Sequence, residues 1–260
     1  MERMLFDYHT HTIYSRHHHG KGTIEENVRA AIRKGLQGIA ITDHGPGHLT
    51  YGIRRQYLPE MRAEVDRLRE KYPEIQIYLG VEANICRSEN NLDLIDEDLP
   101  WFDFILAGYH YGVLHGSCLA NWMMEHGIGS GSKRKEALRR ANTEMILGAI
   151  RKNRLKILTH SEDKAPVDMQ AVAHACAEQG VWMEISTHHR HLTVEEIRIA
   201  SQEPVQFVIS SDAHRPDRVG TYEAGVERAR AAGLDLSRIV NIRKRSEEHT
   251  SELQSRSAIS

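Results

Sequence analysis

Seven short runs of apolar and β-branched residues, each followed by a longer polar-to-apolar segment, constrain this chain more than any other feature. The runs are residues 4–8, 38–42, 75–82, 104–107, 157–159, 182–185 and 206–210. After the first, Thr23-Ile24-Glu25-Glu26 is a capping box, Val28, Ala31 and Ile32 supply an apolar helical face, and Gly35 stops the helix. Residues 59–71, 135–153, 168–179, 193–201 and 222–232 read as helices in the same way. Strand–helix alternation without an interior linker demands parallel strands, because a parallel pair needs a long crossover and a helix supplies it. Runs apolar on both faces fit either a closed barrel or a doubly wound sheet. The pattern ends near Lys244. The last sixteen residues, 245–260, form a polar string that looks like a translated sequencing adapter. The expected organisation is therefore one domain over 1–244 and a non-native or disordered tail over 245–260. The native chain is expected to continue past Lys244 with a further helix.

Composition narrows the chemistry. Lys+Arg 34 against Asp+Glu 36 leaves a formal charge of −2, which provides no basic field for nucleic acid. No apolar run reaches the roughly 20 residues that span a bilayer, and the N-terminus lacks a signal-peptide core, so a cytoplasmic protein is expected. Cys86, Cys118 and Cys176 are too few and too scattered for a disulfide framework or a cysteine zinc site. Histidine is in excess, at 17 residues. Neutral imidazole is the commonest ligand of zinc and its neighbours, so metal chemistry becomes the first expectation.

The positions of these histidines strengthen it. His9 and His11 follow the first run and Asp43-His44 the second; the third ends in Glu82 and the fourth leads to His110. His160 ends the fifth, and Asp212 and His214 follow the last. In a parallel barrel the C-terminal ends of the strands converge on one face, where barrel enzymes keep their chemistry. An extended His-x-His pair aims both rings to one side, and a carboxylate can bridge two cations. Nitrogen-rich donors suit zinc, manganese or iron rather than magnesium or calcium.

The motifs His9-Thr10-His11-Thr12, Ile41-Thr42-Asp43-His44-Gly45, Gly80-Val81-Glu82-Ala83-Asn84, Ala107-Gly108-Tyr109-His110, Leu158-Thr159-His160 and Ser211-Asp212-Ala213-His214, together with His17, resemble those of the polymerase-and-histidinol-phosphatase (PHP) superfamily of metal-dependent phosphoesterases. The likeness covers residues 4 to about 244 and is greatest to the small stand-alone members with three metals. It implies a distorted seven-stranded (β/α) TIM-like barrel. It also implies three divalent transition cations, zinc first, held by His9, His11, Glu82 and Asp212, by Glu82, His110 and His160, and by His17, His44 and His214. Two departures stand out: Ser161-Glu162 replaces the usual Pro-Gly after His160, and the stretch 120–135 is long and rich in Gly and Ser, as a lid or substrate loop would be.

The implied chemistry is hydrolysis of a phosphomonoester by hydroxide generated at the cations, with a small phosphorylated substrate. Asp43 and His17 are the catalytic candidates. Asp43 would orient His44 or a water, and His17, His18 beside it or a metal-bound water would protonate the leaving alcohol. Arg16, Lys21, Arg190 and Arg215 follow strand ends and are candidates for binding the phosphate. His188, His189 and His191 form a second cluster that is either a set of substrate contacts, an accessory site or, the preferred reading, exposed loop histidines; His174 is read as a surface residue, and His48, His115 and His126 are assigned nothing. The alternatives are a phosphodiesterase or exonuclease, and a non-catalytic metal-binding module.

Overall fold

The computed structural model describes residues 2–128, 131–161 and 164–244. The stretch 245–260, and the helix expected after it, lie outside the described residues. Seven strands, β2 (Phe6–Asp7), β3 (Gly38–Ile41), β4 (Gln76–Asn84), β5 (Phe104–Gly108), β6 (Leu155–Leu158), β7 (Trp182–Ser186) and β8 (Phe207–Ser210), pair in parallel in chain order. A further strand, β1 (Glu2–Met4), pairs antiparallel with β9 (Ile242–Lys244) beside them, a pairing the sequence did not lead us to expect.

Helices α1 (Ile24–Arg33), α2 (Leu58–Lys71), α3 (Cys118–Glu125), α4 (Ser132–Lys152), α5 (Met169–Gln179), α6 (Val194–Ala200) and α7 (Glu223–Ala231) cover the outside. The capping box at Thr23 forms as expected, with Glu26 N–H donating to Thr23 Oγ1 at 3.1 Å and Thr23 N–H to Glu26 Oε2 at 2.8 Å. Thr193 and Glu196 repeat the device at α6. Helix α3 occupies part of the stretch expected as a loop.

The sheet is rolled into a nearly closed barrel, and buried polar groups stitch its seam. Beyond the strand ends Thr10 bridges Ala213, with His11 N–H donating to Ala213 O at 2.8 Å. Buried Asp7 on β2 accepts from Ser211 N (3.1 Å) and Gly220 N (2.7 Å). At the opposite end Asn241 donates from Nδ2 to Phe6 O and Ile209 O, at 2.7 and 2.6 Å. The seam is thus held without a continuous β2–β8 ladder.

Period two sorts the strand side chains between two apolar layers. Ile105, Ala107, Phe207 and Ile209 pack under the helices, whereas Leu106 and Val208 point the other way and join Ile157, with Tyr8, Phe104 and Trp182 packed around them. The same alternation decides where the carboxylates go. Val81 and Ala83 face the helices, as do Met183 and Ile185, so Glu82 and Glu184 between them face inward. No helix among the described residues is long and apolar enough to cross a membrane.

Candidate metal centre

His9, His11, His44, Glu82, His110, His160, Asp212 and His214 all meet at the C-terminal mouth of the barrel, where a cavity of about 260 Å³ opens. Glu82, fully buried, lies at the middle. Its Oε2 stands 3.0 Å from His44 Nδ1 and 3.3 Å from His9 Nε2. Its Oε1 stands 2.9 Å from His160 Nε2 and 3.3 Å from His110 Nε2. Asp212 divides its oxygens in the same way, with Oδ1 3.1 Å from His11 Nε2 and Oδ2 3.3 Å from His189 Nε2. Each carboxylate therefore faces different imidazoles with its two oxygens.

Hydrogen bonds on the far side of the rings set which nitrogen faces inward. His9 Nδ1 donates to Glu184 Oε1 at 2.7 Å, leaving Nε2 toward Glu82 and 3.0 Å from His11 Nε2. His110 Nδ1 donates to Asn84 Oδ1 at 2.8 Å; Asn84 Nδ2 in turn donates to Asp93 Oδ2 at 2.6 Å, which fixes the amide's orientation. His214 Nδ1 donates to the Asp212 carbonyl at 2.9 Å, leaving Nε2 free to face His19. Holding the outer nitrogen of a ligand imidazole in this way is the usual means of fixing its tautomer and aim.

The electrostatics follow from burial. Burial opposes a charge on His9, yet Glu82, Glu184 and Asp212 together hold its pKa well above the ordinary imidazole value. Burial depresses His11 and His44 strongly and pushes His110 and His19 down to about 3. Burial alone would raise Glu82 and Asp212, but the surrounding imidazoles hold both carboxyls well below their usual range. Both Asp212 oxygens, Glu82 Oε2, His110 Nε2 and both nitrogens of His44 are buried without a hydrogen-bond partner among the described residues. Such orphaned lone pairs are costly unless a cation takes them up, and imidazole nitrogens mixed with carboxylate oxygens are a donor set for zinc, manganese or iron. His11, His44 and His214; His9, His11 and Asp212; His44, Glu82 and His110; and His160, His189 and Asp212 each bring donor atoms within 4.8 Å of one another. The residues fit divalent transition cations.

Several expectations need correction. His17 is exposed and stays out of the cavity, whereas His19 enters it, with Nε2 2.8 Å from His214 Nε2 and its ring stacked on Tyr51 at 3.9 Å. The chain between is a turn, with His17 at φ 58° and His18 at φ 60°, and Gly20 packs so tightly on Thr12 that a Cβ there would lie 2.0 Å from its carbonyl oxygen. Asp43 touches neither His44 nor the cavity. Its carboxylate accepts from Thr12 N (2.7 Å), Thr12 Oγ1 (2.6 Å), Ser15 N (3.0 Å) and Ser15 Oγ (2.6 Å), so it pins the turn that carries His19.

The four cations expected to bind phosphate are also elsewhere. Arg16 donates to the carbonyls of Gly52, His48 and Leu49, and Arg215 pairs with Asp217 at 3.1 Å. Lys21 and Arg190 are exposed and, like the other two, do not line the cavity. Lys164 is the only Lys or Arg among the described residues that does, and Tyr111, Tyr51, His48, His188 and His189 line it as well. Glu184 was not expected here, although its inward parity between Met183 and Ile185 signalled it; His189 belongs to the loop cluster weighed as substrate contacts or an accessory site but read as exposed, and it lines the cavity.

Comparison with known proteins agrees with this geometry. The family model described as PHP domain matches residues 7–188. A protein named "Probable phosphatase" from Thermoanaerobacter sp. (strain X514) is 31% identical over 253 residues, covering 92% of this chain and 91% of the relative. Another so named, from Shewanella sp. (strain MR-4), is 28% identical and covers 90% of this chain and 86% of its own. Among solved structures, histidinol phosphate phosphatase from Lactococcus lactis subsp. lactis Il1403, complexed with zinc, L-histidinol and phosphate, shares the fold at a TM-score of 0.61. It is 18% identical, and the match covers 89% of this chain and 95% of that one. With the family model running from β2 to the loop after β7, and a relative above 30% identity aligned over nine-tenths of its length, the chain belongs to the PHP domain family.

Proposed function

We propose that this chain is a metal-dependent phosphatase that hydrolyses small phosphomonoesters at the barrel mouth. The observation that carries the reading is the pair of buried carboxylates, Glu82 and Asp212, each turning its two oxygens to different imidazoles. That arrangement suits several cations sharing bridges a few ångströms apart. Cations held there supply Lewis acidity toward phosphoryl oxygens and lower the pKa of a water they bind. His9, His11, His19, His44, Glu82, His110, His160, Asp212 and His214 are the residues we assign to hold them, three cations in all, with zinc as the first candidate and manganese or iron as the others.

The chain's own residues account for the rest. Glu184 and Asn84 keep His9 and His110 in the tautomers that present Nε2 to the cavity. Lys164, at the rim, places positive charge where the substrate's phosphate enters. The cavity of about 260 Å³ is of the size of a phosphate with a small alcohol. This favours a monoester over a nucleic-acid end. Burial keeps the His19 ring neutral, the form in which an imidazole can hold a cation.

The test is kcat/KM on p-nitrophenyl phosphate and histidinol phosphate against bis-p-nitrophenyl phosphate. Monoester turnover should exceed diester turnover at least tenfold, and Lys164→Ala should raise KM more than it lowers kcat. Faster diester cleavage, or inertness toward both with metal bound, would overturn the reading.

A further inference from the structure

The ligand sets implied by the family likeness leave out the loop after β7, yet the structure brings a histidine of that loop against the centre. His189 Nε2 stands 3.3 Å from Asp212 Oδ2, and the His189 and His160 rings lie 4.5 Å apart. His160, His189 and Asp212 each offer a donor atom within 4.8 Å of the others. Asp212 Oδ1 is meanwhile turned to His11 and His9, so Oδ2 is the oxygen left for this side. Among the described residues neither Asp212 oxygen has a hydrogen-bond partner, and His160 Nδ1 is buried without one too.

The loop that carries His189 is built rather than loose. The backbone N–H groups of His188 and His189 both donate to Ser186 Oγ at 3.1 Å. Arg228 reaches across from α7 and donates to the carbonyls of Ser186, His189, Arg190 and Leu192 at 2.9–3.2 Å. A guanidinium fork spent on four carbonyls fixes the backbone from which His189 projects, and a ligand held this way loses little freedom on binding.

From this we infer that His189 is itself a metal ligand, joining His160 and Asp212 around one divalent transition cation, so that Asp212 bridges this cation to the one near His9 and His11. The inference rests on the metal-dependent reading above and extends it by one residue. His189 thereby ties the loop after β7 to the centre, and occupancy of that cation position depends on Ser186 and Arg228 through the loop they hold.

The experiment loads the full chain, labelled with ¹⁵N-histidine, with ¹¹³Cd. A ¹¹³Cd–¹⁵N coupling at His189, assigned by its disappearance in His189→Gln, is the expected result. In that variant, whose amide keeps a donor in reach of Asp212, one cadmium equivalent should dissociate more than tenfold more readily. Couplings at His9 or His110 with none at His189, or a Gln variant whose cadmium affinity stays within twofold of wild type, would overturn the inference and leave the metal centre standing. Absence of coupling at every histidine would overturn both.

Discussion

His9 and His11 stand two residues apart beyond β2, and His17 and His19 stand two residues apart in the turn that follows. The first pair enters the centre together, with Nε2 atoms 3.0 Å apart; the second splits, one ring in the cavity and one in solvent. The chain around the first pair is held extended on both sides, since Thr42 N–H donates to Thr10 O at 2.8 Å and Thr10 bridges Ala213. Around the second, left-handed φ at His17 and His18 replaces the alternation of a strand. Period two is therefore a property of paired backbone, and spacing locates a side chain only where neighbouring strands enforce it.

Substitutions should separate donors placed by strand ends from donors placed by turns. Asp212→Ala removes a strand-end bridge that two sets of imidazoles share, and monoesterase kcat/KM should fall by at least about a hundredfold, the upper scale seen for outer-shell partners of metal ligands. Asp43→Ala removes the acceptor of four hydrogen bonds from Thr12 and Ser15, although the Ser15 N–H keeps a second partner in the Thr12 carbonyl, and should cost about 2 kcal/mol in urea unfolding. Its metal loss should be confined to the position that His19 serves; loss of every metal would mean that the turn does not act separately from the strand ends.

Smaller effects sharpen the contrast. His19→Ala should lower activity about tenfold, whereas His17→Ala should stay within about twofold, as a surface substitution does. The reverse order would return the turn to the register expected from spacing.

The metal-stripped protein should also lose stability on acidification. His11, His44, His110 and His19 have folded pKa values below the unfolded value near 6.5, so the unfolded chain binds protons that the folded one refuses. Stability then falls as pH drops below 6.5. For His110, with its pKa near 3, the loss between pH 7.5 and 5.5 is about 1 kcal/mol. His9 works in the opposite sense, as do the buried carboxyls of Asp93, raised to about 6, Asp7 and Asp43, and they are outnumbered once His48 and His188, also depressed by burial, are added. Urea unfolding at the two pH values checks the sign, and equal or greater stability at pH 5.5 would contradict it.

Much of the architecture is legible because it depends on local signals. The runs at 38–42 and 104–107 become β3 and β5 within a residue, and the capping box at Thr23 starts α1 as its sequence says. The antiparallel β1–β9 pair is not legible, since it joins chain ends some 240 residues apart through short polar strands. At the site, residues within two positions of a paired strand end were readable, even His160 and Asp212 at positive φ, whereas those carried by the turn at 17–19, farther from any strand, were not. Arg16 shows the second failure: it follows a strand end, yet its fork is taken up by carbonyls of the loop at 48–52. Glu184 shows that a lone carboxylate among apolar neighbours on a strand merits the same parity reading as Glu82.

Whether the orphaned donors around Glu82 hold metal decides between a working centre and an idle cluster of side chains. Elemental analysis of the purified chain beside its Glu82→Ala variant measures this directly. Three transition-metal ions per chain, with at least one lost in the variant, is the predicted result; a wild-type chain that binds none, or a variant that keeps them all, would contradict it.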